Sequence, residues 1–200
     1  MDTSTSNTPA PATMRRGRDL LRLWVVGQMD GTNLGSVHDL VFDHDTDEVL
    51  ALVVAVQDLF GLVDAQIVPW HQVRLVGRDV VLVESGASKV RVRDEPRVQE
   101  LLDRKTLLSG TRIYTTDGQY LGTLADAYLD TTKGRIVGYE ISGGFVEDTL
   151  RGKKFLPAQH DKHIGKDAIV VPTAAAAELQ PQPPTPTGTD SSGGTPPGAA

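Results

Sequence analysis

Several groups of side chains in this 200-residue chain have types and spacings that could do chemistry. Asp43, Asp45 and Asp47 alternate as Asp-x-Asp-x-Asp, the opening of an oxygen-ligand loop for a divalent cation. A calcium loop of that kind also needs glycine at its sixth position and glutamate at its twelfth. Glu48 and Val54 stand there instead, so a solvated hairpin tip is the better account and the three aspartates remain metal candidates only. His160 and His163 lie three apart, a spacing that one helical turn could aim at a metal, but no third ligand is evident nearby. Arg151, Lys153 and Lys154 surround Gly152 and could touch an anionic partner or a lipid headgroup; a solvated loop is the plainer reading. Asp30-Gly31 and Asp117-Gly118 each run on to a Leu-Gly step, ending at Gly35 and Gly122. The chain has no G-x-S-x-G, G-x(4)-G-K-[ST] or G-x-G-x-x-G motif, so these glycines serve turns rather than phosphates. No catalytic residue and no cofactor follow from these patterns, and the expectation is a protein that is not an enzyme.

Composition narrows the classes further. The chain has 26 acidic and 20 basic residues and a formal charge of −6. It has no cysteine, which removes disulfides, thiolate metal sites and cysteine nucleophiles together. No apolar run is long enough for a transmembrane helix. Residues 1–13 are polar and lack the apolar core of a secretory leader. A cytoplasmic protein is therefore expected, with attachment at the periphery of a membrane complex left open.

The elements that must position these residues are duplicated. The stretch from Asp30 to Asp43 recurs from Asp117 to Asp130 at an offset of 87, and Ile67-Val68-Pro69 matches Phe155-Leu156-Pro157 at an offset of 88. The repeats are placed at 19–86 and 106–173. Each reads as all-β: an Asp-Gly turn, a strand ending in aspartate, an apolar β-branched strand, a Pro-marked segment and a short Val/Ile strand. Five or six short strands in so few residues suggest a small closed barrel, because closure removes exposed edges. Between the repeats, in a connector spanning 87–105, Asp94 to Lys105 reads as a helix capped by Asp94. A second short helix, Ala174–Leu179, is expected after a Thr173 cap, within 174–179. Residues 1–18 and the Pro/Gly/Thr-rich stretch 180–200 cannot bury enough surface to offset their ordering entropy and are expected to be disordered.

These residues resemble the PRC-barrel family, and the chain looks like a tandem of two such modules. The family pattern is a D-G-x-x-L-G turn, an apolar strand ending in aspartate, a second apolar strand, and a Pro-containing segment before G-x-D-x-apolar. Repeat 2 carries it with Arg151-Gly152-Lys153-Lys154-Phe155-Leu156-Pro157 and Gly165-Lys166-Asp167-Ala168. Repeat 1 has Val68-Pro69-Trp70 and Gly77-Arg78-Asp79 but Val63-Asp64-Ala65-Gln66 where the Arg-Gly-basic step should be. The resemblance implies two small β-barrels and a docking role. Similar modules form the cytoplasmic part of the photosynthetic reaction-centre H subunit and the C-terminal domain of a ribosome-maturation factor.

Repeat 1 carries eleven acidic and three basic residues, the connector is net +2, and repeat 2 is neutral. Such an acidic module repels a phosphate backbone, so no strong nucleic-acid signal is present. The apolar strand from Val49 to Val56 is hydrophobic on both faces. If Leu50, Leu52 and Val54 fill the barrel, then Val49, Ala51 and Val53 need another cover. The options are the connector helix, the other repeat, a second chain, or the loop Leu59–Val63. Phe60 and Trp70 join those three as interface candidates, although Trp70 could equally complete the core. The functional expectation is a protein–protein docking or assembly module with a protein partner, self-association or repeat–repeat packing being further options. A ribosome-maturation accessory and a small-ligand or cation sensor are the alternatives.

Overall fold

The computed structural model describes residues 14–43, 45–59, 62–103, 110–143, 153–159, 161–165 and 167–181. The expectations of disorder for 1–13 and 182–200 lie outside these residues. A strand β1 (Met14–Arg16) and a 3-10 turn (Gly17–Leu20) lead into the first repeat. The first repeat then runs through β2 (Trp24–Gly27), β3 (Asn33–Ser36), β4 (Asp39–Asp43), β5 (Glu48–Leu59), β6 (Leu62–Pro69), β7 (Val73–Val76) and β8 (Val80–Val83). The connector holds β9 (Val90–Arg91) and the helix α1 (Pro96–Asp103). The second repeat follows with β10 (Arg112–Thr115), β11 (Tyr120–Asp130), β12 (Arg135–Ser142), β13 (Lys154–Pro157), β14 (His163–Ile164) and β15 (Ala168–Val171). A two-residue strand, β16 (Gln180–Pro181), ends the described chain by pairing with β13.

The two repeats share one topology. In the first, the ladders run β7-β8-β2-β3 and then β4-β5-β6; in the second, β14-β15-β10-β11-β12-β13. Each repeat has one parallel pair, Trp24 opposite Val80 and Arg112 opposite Ala168, in the same register. The alternating residues Val25, Val81 and Val83, and their counterparts Ile113, Ile169 and Val171, point inward and are buried. The second repeat keeps β11 continuous where the first breaks it between β3 and β4. Among the described residues no ladder closes the ring, so the expected barrels are open: β6 and β7, like β13 and β14, share no backbone pairing.

Bulges explain why simple alternation fails on the third strand. The ladder between β4 and β5 slips between Val41 and Phe42, leaving Leu50 as the extra residue; the ladder between β11 and β12 slips at the equivalent place and leaves Val137. Facing therefore reverses across the bulge. Val49, expected on the outer face, enters the main core with Leu52 and Val54, and Leu50, expected inside, joins the outer cluster. Likewise Ile136 shares the core with Tyr139 and Ile141.

The connector helix supplies the missing cover. Ala51, Val53, Val41 and Ile67 pack with Val98 of α1, and Leu101 and Leu102 lie against the same cluster. Ala51 and Val53 are thus buried by their own chain and are not available as a docking face. The helix is shorter than expected at its start. Asp94 closes a 3-10 turn (Val92–Asp94) instead of capping, and the Glu95 carbonyl accepts the first helical bond, from Gln99 (3.0 Å). Thr173 likewise begins a 3-10 helix (Thr173–Ala176) rather than capping an α-helix, and its hydroxyl shares a hydrogen bond with Thr116 (3.0 Å).

The N-terminal arm is the other correction. Met14–Arg16 pair antiparallel with Asp130–Tyr128 of β11, and Leu20 is fully buried in the main core. Residues 14–18 are therefore built structure, as is the Gln180–Pro181 end that composition assigned to a disordered tail. Composition misjudged both because backbone pairing to an open strand needs little apolar side chain. Val53→Glu would set a carboxylate against Val98 inside the outer cluster, and should cost about 3 kcal/mol of stability. A denaturant melt coincident with the wild type would show that α1 is not the cover.

Candidate functional site

The recurrent turn residues hold the same places in both repeats. Gly31 and Gly118 take positive φ (66° and 88°) in open space, as an Asp-Gly turn requires. The Asp30 carboxylate accepts from the Gly86 and Thr32 amides (2.9 and 3.1 Å), and these bonds hold its pKa below the ordinary value. Asp117 accepts from the Thr115 hydroxyl, which lowers its pKa in the same way. Gly35 and Gly122 also have positive φ, and a Cβ at either would collide with the neighbouring strand, at the Val54 carbonyl in one repeat and the Gly143 carbonyl in the other. These are architectural positions. So are Asp39 and Asp126, whose Oδ1 atoms each accept from the next amide at 2.8 Å.

The three candidate metal ligands do not converge. Asp43 accepts two bonds from Arg97 of α1 on one oxygen (3.1 and 2.7 Å) and one from the Asp45 amide. Burial pushes the Asp43 carboxyl up, but Arg97 and that amide outweigh it and hold its pKa below the ordinary aspartate value. Asp45 is exposed at the tip, 3.9 Å from Arg97. Asp47, in the left-handed conformation (φ 57°), turns into the second repeat. No cluster of three His, Asp or Glu suited to a metal occurs among the described residues. His160 lies outside them; His163 is exposed on β14.

Asp47 instead helps to join the repeats. Its carboxylate accepts from the Tyr139 hydroxyl (2.9 Å) and from Lys162 Nζ (2.6 Å), and Lys162 also donates to the Gln159 carbonyl (3.1 Å). Both members of the ion pair are nearly buried, at 4 % and 10 % side-chain exposure. Burial, followed by the Asp47 charge and the bond to it, pushes the Tyr139 phenol far above its ordinary range. Beside this junction the β4–β5 and β11–β12 tips meet through Glu48 opposite Arg135. The Val49 amide donates to Gly134 O and the Ile136 amide to Asp47 O, each at 2.8 Å. Trp70, at the end of β6, lies directly over Gly134 and half-buried against the core. It is an internal contact between repeats rather than a free anchor.

The basic cluster is also drawn inward. Glu140 of β12 is fully buried and accepts from Arg18 and from Lys153 Nζ (2.5 Å), with Arg16 3.8 Å away. Arg18 also bonds Asp126 (2.6 Å). Glu140 occupies the position that Val53 holds in repeat 1, so the outer face covered by α1 there is covered here by the arm and its arginines. Lys153 is thus a structural partner of Glu140. Lys154 lies on β13 opposite Ile141. Arg151 and Phe60 lie outside the described residues.

What remains open is a surface that sequence reasoning missed. On the outer side of β2, β8 and β7, Trp24 stands opposite Val80, and Leu82 stands between Val26 and Leu75. Trp24 is 56 % and Leu75 55 % exposed, and the three residues between them are half-buried. The equivalent places in repeat 2 hold Arg112, Tyr114, Ala168, Val170 and His163, so the exposed tryptophan and leucine at the two ends of the face belong to the first repeat. Only comparison of the two repeats, position by position, could have flagged it: Trp24 against Arg112 and Leu75 against His163.

The geometry defines a tandem of small open β-barrels with a shared junction. The PRC-barrel domain family model matches twice, at residues 12–90 and 103–177, and the chain belongs to that family. No curated protein matches it. No helix among the described residues is long and apolar enough to cross a membrane.

Two outcomes follow from the charges. Lys162→Met leaves Asp47 buried with only Tyr139 as donor and should cost about 3 kcal/mol, measured by denaturant unfolding. The Asp43 carboxyl has a folded-state pKa below its unfolded value of about 3.9, so its contribution is full above that value and is lost as pH falls through the lower one. Asp43→Asn should therefore flatten the acid limb of a stability–pH curve; an unaltered limb would show that the Arg97 contact contributes nothing.

Proposed function

We propose that this protein is a non-enzymatic docking module that presents the outer face of β2, β8 and β7 to a protein partner. The observation that supports it is the pair Trp24 and Leu75, more than half exposed on a sheet face that Val26, Val80 and Leu82 make continuously apolar. Exposed apolar patches on a folded domain are characteristic of interaction sites, and a tryptophan is the side chain most able to anchor one. The charged groups elsewhere favour the same reading, because Asp43, Asp47, Glu140, Arg18, Lys153 and Lys162 are all committed to internal pairs. The resemblance to the reaction-centre H subunit makes a subunit of a membrane-bound complex the partner class to look for first, with the protein attached at its periphery.

The test is affinity capture of the tagged chain from its own cells, compared with Trp24→Ser and Leu75→Ser. Loss of a hot-spot side chain of this kind should reduce partner recovery by about thirtyfold, equivalent to about 2 kcal/mol. Both variants should melt with the wild type, since neither residue contributes to the core. A partner retained in full by both variants would place the docking surface elsewhere.

A further inference from the structure

The two repeats are related by an approximate twofold axis through the Glu48–Arg135 pair. At the repeat offset of 87, Glu48 is equivalent to Arg135, Asp47 to Gly134 and Val49 to Ile136, and the two 2.8 Å backbone bonds across the junction exchange under that operation. The covering segments exchange too. The arm that precedes repeat 1 pairs with β11 and caps Glu140 of repeat 2, while the helix that precedes repeat 2 covers β4 and β5 of repeat 1. Each module is completed by the segment leading into the other. This is the isologous geometry of a homodimer, with reciprocal exchange, held within one chain.

The side chains at the junction are not symmetric, and their differences fit each other. On one side of the axis the tip residue is Gly134, and Trp70 lies so close above it that a Cβ there would overlap the indole. On the other side the tip residue is Asp47, and the position equivalent to Trp70 is the small Ala158. Lys162, which neutralises Asp47, has Arg74 as its counterpart, and Arg74 is half exposed and bonded to Glu84 (2.9 Å) instead. Pairing repeat 1 with another repeat 1 would bring Trp70 onto Asp47 twice and set Glu48 against Glu48. Pairing repeat 2 with itself would bury two Lys162 ammonium groups beside Gly134, where no carboxylate exists, and set Arg135 against Arg135. Both self-pairings meet a steric or desolvation penalty that the mixed pairing avoids.

We infer that the junction is a selective interface whose only fitting partner is the complementary module: the protein is an internal heterodimer of PRC modules, and its two halves hold together without the covalent connection. To test this, a protease recognition sequence is placed within residues 104–109 of the full chain, and the folded protein is cut there. The expected result is a single particle of unchanged mass at micromolar concentration, containing one copy of each half. Native mass spectrometry should show only the mixed pair after prolonged incubation. Separation of the halves on cutting, or the appearance of either half paired with itself, would overturn the inference.

A pair of variants tests the steric part independently. In the cut protein, Gly134→Ala should loosen the pairing by about tenfold, because the new methyl group meets the Trp70 indole. Adding Trp70→Ala to Gly134→Ala should recover part of that loss. Unchanged pairing in the single variant, or no recovery in the double variant, would show that the Trp70–Gly134 fit does not select the partner.

Discussion

The structure turns on the meeting of two hairpin tips. Each tip must reverse direction within a few residues, and each does so with one residue in the left-handed region, Asp47 (φ 57°) or Gly134 (φ 64°). Their carbonyls then accept the amides of Ile136 and Val49, which fixes the repeats edge to edge. Modules of under 70 residues bury a small share of their surface and are marginal alone. Docking at the tips lets one hydrophobic core, from Leu20 and Val25 through to Ile169 and Val171, serve both.

Around that junction the duplicated sequence has diverged in coordinated ways. Where repeat 1 has Ala51 and Ile67, repeat 2 has Gly138 and Phe155, and a Cβ at Gly138 would overlap the Phe155 ring. That ring makes an edge-on contact with Tyr128 at 5.2 Å between centroids. Where repeat 1 has Val53 beneath the apolar side of α1, repeat 2 has Glu140 beneath the arginines of the arm. A buried carboxylate adds little net stability over an apolar residue, because its desolvation cancels most of the attraction. It does demand a specific partner. Glu140 therefore ties the arm to repeat 2, as Asp47 ties the tip of repeat 1 to Lys162.

This division of labour bears on function. Charged residues that look available in the sequence are consumed in holding the two modules and their covering segments together. Among the described residues, no ion pair engages the tryptophan and leucine on the outer face of the first repeat's four-stranded sheet, and these stand where the second repeat has arginine and histidine. A docking role placed on that face leaves the internal contacts intact, which is how one fold can keep its architecture while a single surface diverges.

The sequence by itself determined the duplication, the all-β class, the Asp-Gly and Leu-Gly turns, the connector helix and the apolar second face of Val49–Val56. Those features are local: turn glycines follow from backbone sterics, and strand and helix follow from hydrophobic period. It also carried the three aspartates, but not their fates, because alternation along a hairpin says nothing about which module the tip faces. Tertiary structure alone decided that Val49 turns inward and Leu50 outward, since a bulge reverses facing without leaving a mark in the pattern. It likewise decided that Met14–Arg16 form a strand, that Trp70 lies over Gly134, and that no ladder among the described residues closes either barrel. Each of these depends on residues far apart in the chain, where the energy comes from a partner that no window of sequence contains.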